Sequence, residues 1–111
     1  MDFKSIGSIE EFDKIVAENI GVLIFFSTLS CSVGEALEPK VIRMLEKDFP
    51  KIPFYFVDMN ANPEISSKNS VFVEPTILVF FDAKESIRNS RNISVNILSD
   101  SISRLYDLAF E

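Results

Sequence analysis

Apolar residues recur at helical spacing in several segments of the chain and form short continuous runs between them. The spacing of apolar residues over residues 9–19 predicts a first helix, and Ser8 with Glu11 three positions later is typical of a capping box at its start. Gly21 is expected to end this helix in a left-handed turn. The continuous apolar run over residues 22–26 indicates a central strand that is covered on both faces.

Apolar spacing and turn residues along the rest of the chain predict strands and helices in the order β-α-β-α-β-α-β-β-α. An edge strand over residues 3–6 comes first, and a helix that contains Pro39 runs from Val33 to about residue 48. The later elements are a strand over 53–58, a short helix from Asn62-Pro63, a strand over 76–81, a hairpin partner over 86–91 after a polar connection at 82–85, and a final helix capped by Ser94. This order predicts one α/β domain over residues 1–111, with a central mixed β-sheet flanked by helices on both faces.

The amino-acid composition limits which kinds of catalytic and metal-binding site this chain can form. The chain has 111 residues, with 17 acidic and 11 basic side chains, a net charge of -6, one cysteine and no histidine. The lack of a basic face argues against a nucleic-acid partner. Without histidine, and with Cys31 as the one thiol, the sequence excludes histidine-based catalysis, an internal disulfide and any multi-cysteine zinc site, so neither a metal nor a cofactor is expected.

The apolar runs also bear on location. The longest of them, over residues 22–26 and 76–81, are far too short to span a bilayer. The first residues carry early acidic side chains and lack the long apolar core of a secretory signal. We therefore expect a cytoplasmic protein that has no membrane partner.

Several features in a fixed order resemble the thioredoxin family over nearly the whole chain. The apolar strand VLIFF runs into a loop that ends in Cys31 at a helix start, and Pro39 follows that cysteine by eight residues. The segment DMNANP, over residues 58–63, resembles the strand-to-helix corner of the family. Glu74-Pro75-Thr76 before ILVFF resembles its cis-Pro-Thr step. The resemblance implies the thioredoxin-like three-layer sandwich and an active site around Cys31 and Pro75.

The redox motif itself differs from that of the family. Where the family has C-x-x-C, this chain reads Cys31-Ser32-Val33-Gly34, so the attacking cysteine is matched and the resolving cysteine is replaced by Gly34. The resemblance places Phe25 and Phe56 where the family has a buried Asp and its Lys partner. It also aligns Asn92, a residue that tolerates a positive φ angle, with a family glycine near the last strand.

The resemblance also implies which residues form the site. Cys31 is the candidate nucleophile, and its position at a helix start favours the thiolate, whereas Glu35 and Glu74 are expected to bring opposing negative charge. The candidate substrate-binding residues are Ser30, Ser32, Val33, Gly34, Glu74, Pro75 and Thr76.

Three hypotheses follow from this site. In the first, Cys31 forms mixed disulfides with a thiol- or disulfide-bearing protein, and an external thiol resolves them because autonomous dithiol chemistry requires a second cysteine. In the second, the groove around Cys31 and Pro75 binds an extended polypeptide segment without catalysis. In the third, two chains are joined in a dimer through Cys31.

Overall fold

The computed structural model describes residues 4–110 of the chain. Within these residues, strands and helices follow the predicted order. The first strand begins at Lys4, and Phe3, which we also expected in it, lies outside the described residues. The elements are β1 (Lys4–Ser5), α1 (Ile9–Glu18), β2 (Gly21–Ser27), α2 (Ser32–Asp48), β3 (Phe54–Asp58), α3 (Pro63–Lys68), β4 (Thr76–Phe81), β5 (Lys84–Ser90) and α4 (Val95–Ala109).

The sheet is mixed, and its strand order is β1-β3-β2-β4-β5. Strand β3 runs parallel to both β1 and β2, whereas β4 is antiparallel to β2 and β5 is antiparallel to β4. Strand β2 lies at the centre, and all seven of its residues are buried, as its continuous apolar run predicted. Cys31 therefore follows a strand that is buried along its whole length.

Two separate apolar cores lie on the two faces of the sheet, because successive side chains of a strand point to opposite faces. Leu23 and Phe25 of β2 belong to the core that the sheet forms with α2 and α4. Ile24 and Phe26 belong to the core on the other face, which contains residues of α1 and α3. This arrangement confirms the three-layer sandwich.

Two backbone predictions were wrong. Gly21 does not end α1 in a left-handed turn, because the helix ends at Glu18, its C-cap residue Asn19 has a φ angle of -114°, and Gly21 begins β2. A side chain at Gly21 would meet the ring of Phe81 at 3.0 Å, so its small size serves the sheet rather than the helix end. Near the last strand, Arg91 rather than Asn92 adopts the positive φ angle, at 62°.

The ends of α1 and β4 show how local chemistry sets the boundaries. The hydroxyl of Ser8 accepts a hydrogen bond from the N–H of Glu11 at 3.1 Å, and the carboxylate of Glu11 reaches back to the N–H of Gly7. After β4, Asp82 and Ala83 have φ angles of 55° and 64°, the signs of a type I′ hairpin turn. The connection is therefore two residues long, and Lys84 and Glu85, which we expected in it, belong to β5.

Candidate functional site

Cys31 lies between the end of β2 and the start of α2, where it is the N-cap residue of the helix. Its sulfur accepts a hydrogen bond from the N–H of Gly34 at 3.3 Å, which is the position that a hydroxyl or carboxylate oxygen takes at an ordinary N-cap. Its own N–H donates to the carbonyl of Thr28 at 3.2 Å. Cys31 is partly exposed. The sulfur is thus held by a backbone N–H at the N-terminal end of α2.

A second loop, which precedes β4, faces the Cys31 loop. The hydroxyl of Thr28 donates a hydrogen bond to the carboxylate of Glu74, and this bond joins residues that are 46 positions apart. The Glu74–Pro75 peptide bond is cis, and the carbonyl of Pro75 accepts a hydrogen bond from the N–H of Arg91 at 2.8 Å. The chain therefore brings Glu74 and Pro75 beside the loop that holds Cys31.

The predicted site residues divide into exposed and buried groups. Ser30, Ser32, Val33 and Glu74 are exposed, and the carboxylate of Glu74 accepts the hydrogen bond from Thr28. Gly34, Pro75 and Thr76 are buried.

Thr76 is held inside the fold by its own hydrogen bonds. Its hydroxyl donates to the carbonyl of Val73 at 2.6 Å and lies 3.0 Å from the hydroxyl of Ser90. These contacts position the start of β4. In the loop before it, Glu74 is exposed to solvent.

The space around Gly34 is filled by Ser27, a residue that sequence reasoning missed. A Cβ atom added to Gly34 would lie 2.2 Å from the hydroxyl oxygen of Ser27 and 3.5 Å from the sulfur of Cys31. The side chain of Ser27 is 1 % exposed, and its hydroxyl has no hydrogen-bond partner among the described residues. The sequence contained one sign of this role, because Ser27 is a polar residue at the end of an otherwise apolar strand. A side chain at position 34 would therefore require the hydroxyl of Ser27 to shift.

A cleft of about 230 Å³ opens beside Gly34. Two carboxylates lie on its wall, and burial, followed by the negative charge of Glu35, raises the pKa of Glu38 above its ordinary value. In the part of the chain that the structure describes, neither carboxylate forms an ion pair with a basic side chain. The residues that line the cleft are Ser27, Thr28, Leu29, Gly34, Glu35, Glu38 and Phe56.

The sheet beneath the site is apolar. The rings of Phe25 and Phe56 are stacked, with their centroids 6.3 Å apart and their planes at 20°. These are the two positions at which the resemblance implied an Asp and a Lys, so no proton-transferring pair lies there. Among residues 4–110, no three acidic or thiol side chains are arranged to hold a metal ion.

Comparison with known proteins identifies the family. A sequence model of the Thioredoxin family matches residues 5–104. This chain belongs to the thioredoxin family. It is 30% identical over 104 residues to "Thioredoxin-like protein YdfQ" of Bacillus subtilis, an alignment that covers 94% of this chain and 89% of that protein.

One further relative and one solved structure of the same fold agree with this assignment. The chain is 29% identical to Thioredoxin-1 of Saccharomyces cerevisiae over 75 residues, which cover 68% of this chain and 72% of that one. The X-ray structure of Fasciola hepatica thioredoxin has the same fold, with a TM-score of 0.82, 24% identity, and coverage of 92% of this chain and 98% of the other. None of the helices that the structure describes is long and apolar enough to cross a membrane.

Proposed function

We propose that this member of the thioredoxin family acts in thiol–disulfide exchange through one thiol, Cys31, and depends on an external thiol for resolution. The observation that carries the proposal is the geometry of position 34. A resolving cysteine would belong there, yet the residue is Gly34, and a Cβ atom at this position would lie 2.2 Å from the hydroxyl oxygen of Ser27. The attacking thiol keeps its place at the start of α2, and the sequence has no second cysteine.

The proposed reaction has two steps. The thiolate of Cys31 attacks one sulfur of a target disulfide, a bond forms between the two sulfurs, and the other target sulfur leaves as a thiolate that takes up a proton. An external thiol then breaks the mixed disulfide by the same kind of exchange. The exposed residues beside Cys31 and the backbone at Glu74 and Pro75 hold an extended target segment during the first step.

The experiment compares wild-type protein with the Cys31→Ser variant in two assays. Incubation with a small disulfide, followed by mass measurement, is expected to show one adduct on wild type and none on the variant. Reduction of insulin by dithiothreitol is expected to show no thioredoxin-like acceleration by either protein. An unmodified wild-type chain, or robust acceleration that depends on Cys31, would overturn the proposal.

The exposed apolar side chains near the two loops favour a second candidate, a binding module that does not use its thiol. Leu29 and Phe72 are each 76% exposed, and Val33 is 57% exposed. Such side chains are suited to contact a polypeptide partner. A pull-down with wild type and Cys31→Ser separates the candidates, since equal capture of the same partner by both proteins supports the binding module. Electrophoresis without reductant tests for the dimer linked through Cys31.

A further inference from the structure

An open groove of about 400 Å³ lies between the N-terminal half of α2 and the loop that joins β5 to α4. Its lining shares no residue with the cleft that contains Glu35 and Glu38. Val33 of α2 is 57% exposed and forms part of one wall, so the groove presents apolar surface to solvent. The residues that line the groove are Val33, Leu37, Arg91, Asn92, Ile93 and Ser94.

The groove adjoins the two loops that hold Cys31 and Pro75. Val33 comes two positions after Cys31, in the helix that Cys31 caps. On the other wall, the N–H of Arg91 donates a hydrogen bond to the carbonyl of Pro75 at 2.8 Å, and the carbonyl of Arg91 accepts one from the N–H of Ile93 at 3.0 Å. Both backbone groups of Arg91 are therefore held. A polypeptide segment that is bound at Cys31 and Pro75 reaches this groove with the residues that flank its cysteine.

Arg91 gives the groove a positive charge that has no partner in the part of the chain that the structure describes. Its side chain is exposed, and it forms neither an ion pair nor a hydrogen bond with the described residues. Arg88, by contrast, pairs with Glu85 and donates hydrogen bonds to two backbone carbonyls. Among residues 4–110, no acidic side chain lines the groove.

The acidic side chains of the site lie elsewhere. Glu35 lines the separate cleft beside Gly34, and the carboxylate of Glu74 accepts the hydrogen bond from Thr28. The net charge of the chain is -6, so an anionic group is disfavoured over most of its surface. At the groove the guanidinium of Arg91 opposes this repulsion, and it can form two parallel hydrogen bonds with a carboxylate. An occupant that combines apolar surface with a carboxylate therefore complements the groove.

We propose that this groove binds the residues that flank the target cysteine, and that the target segment carries an acidic side chain that pairs with Arg91. The inference rests on the proposed function and adds to it the chemical class of the target. Val33 and Ile93 contact the apolar part of the segment. Arg91 is a specificity-determining residue, because it favours one target over another without touching the reacting sulfurs.

The test uses short peptides whose single cysteine is activated as a mixed disulfide with 2-thiopyridine, so that attack by Cys31 releases a thione that is followed by its absorbance. The acidic peptides carry Glu one or two positions before or after the cysteine, and each has a partner with Gln at the same position. Each rate is divided by the rate of the same peptide with 2-mercaptoethanol, which removes differences in intrinsic reactivity. At one of these positions we expect the Glu-to-Gln rate ratio to be about two- to fivefold higher for wild type than for Arg91→Gln, the range that exposed ion pairs produce.

Three further variants show whether the charge at position 91 causes the preference. Arg91→Lys keeps the charge and is expected to keep most of the ratio. Arg91→Glu is expected to reverse it, so that a peptide with Lys at that position reacts faster than its Gln partner. Arg43→Gln, which removes the charge of an exposed arginine farther along α2, is the matched control and is expected to keep the wild-type ratio. Salt at about 1 M is expected to shrink the ratio, because it screens exposed charges.

Methyl NMR spectra of the Cys31→Ser protein locate the segment without depending on exchange. We add the Glu peptide with its cysteine replaced by serine, and we expect the methyl signals of Val33 and Ile93 to shift. The shifts are expected to be smaller when Arg91→Gln is added. If these signals do not move, the segment does not occupy the groove and the inference is refuted. If they move with protein concentration in the absence of peptide, the occupant is a second copy of the chain and the inference fails.

The outcomes separate this inference from the function on which it rests. If Cys31 releases no thione from any peptide, the proposed function fails, and the methyl shifts still decide whether the groove binds an acidic segment. If exchange occurs but no position gives a ratio that depends on Arg91, or Arg43→Gln lowers the ratio equally, the acidic target is refuted and monothiol exchange stands.

Discussion

Glu38 follows Glu35 by three positions on α2, and both side chains line the same cleft. The pKa of Glu38 is raised above its ordinary value of 4.5. Burial of the side chain is the larger cause, and the negative charge of Glu35 is the smaller one. In the unfolded chain the carboxyl of Glu38 has its ordinary pKa. The ionised form is therefore less favourable in the folded state than in the unfolded state, and it lowers the free energy of unfolding at pH values above the folded pKa. Below 4.5 the group is protonated in both states and the penalty disappears.

The first prediction concerns this penalty. We expect Glu38→Gln to raise the free energy of unfolding slightly at neutral pH, because the amide avoids the cost of a partly buried charge beside Glu35, and to leave it unchanged well below the ordinary pKa. Urea unfolding at the two pH values measures the difference. Glu64→Gln, which removes an exposed carboxylate in the first turn of α3, is the matched control and is expected to give no gain at either. An equal gain from Glu38→Gln at both pH values contradicts the electrostatic explanation.

The second prediction concerns the bond between Thr28 and Glu74, which links the two loops of the site. Thr28→Val keeps the shape of the side chain and removes the donor, and Glu74→Ala removes the acceptor. In a double-mutant cycle we expect a coupling energy of about 1 kcal/mol between them, typical of one hydrogen bond. Hydrogen exchange of the amides over residues 71–76 is expected to quicken in both single variants. A coupling energy of zero would show that the loops are positioned without this bond.

The end of β2 and the first turn of α2 are in contact through two small residues. Ser27 ends the strand and Gly34 lies in the first turn of the helix, and a Cβ atom at position 34 would overlap the Ser27 hydroxyl oxygen at 2.2 Å. At Gly7, by contrast, the nearest atom to an added Cβ is a carboxylate oxygen of Glu11 at an ordinary 3.8 Å. The two glycines form a natural comparison between a crowded and an open position.

The third prediction uses that comparison. We expect Gly34→Ala to lower the free energy of unfolding by about 1–3 kcal/mol, the usual cost of overpacking. Gly7→Ala is expected to leave it unchanged or slightly higher. Ser27→Ala in the Gly34→Ala background removes the overlapping oxygen and is expected to restore much of the loss. Urea unfolding of the four proteins measures these effects, and equal costs at both glycines would refute the steric explanation.

The order and type of the elements were predictable from the sequence, because apolar periodicity and the caps at Ser8 and Ser94 act locally. Backbone details that depend on residues distant in sequence were not predictable. Gly21 lies in β2 against Phe81, a contact between residues 60 positions apart that no local pattern reveals. Asp82 and Ala83 form the hairpin turn without the glycine that usually marks one.

The fold is built around a sheet whose central strands β2 and β4 are buried at every residue, and the stacked pair of Phe25 and Phe56 lies within one of the two cores. Phe25 has no exposed surface. The ring therefore contributes its full area to the core under the site.

The fourth prediction follows from this burial. We expect Phe25→Ala to lower the free energy of unfolding by roughly 3–5 kcal/mol, the typical cost of a large cavity in a core. Phe72→Ala, at an aromatic side chain that is 76% exposed, is the matched control and is expected to change stability little. Urea unfolding measures both. A small loss at Phe25 would show that the core collapses around the missing ring.

At the scale of the site, the sequence predicted Cys31, Gly34 and Pro75 through the family resemblance, since these residues belong to a short motif and a recurring loop. It did not predict the cleft. The cleft depends on where Ser27 and Glu38 lie relative to Gly34 in three dimensions, and its charge depends on carboxylates that look like ordinary solvent-facing helix residues in the sequence.

The contact between Ser27 and Gly34 also constrains how this chain would change over generations. A lineage that regained a cysteine at position 34 while Ser27 was present would pass through a protein strained by the 2.2 Å overlap, before any benefit of a second thiol. A route that begins at position 27 removes the overlapping oxygen first and only then reaches position 34. The expected effect of a substitution at position 34 therefore depends on which residue occupies position 27, which is a form of epistasis between two residues in contact.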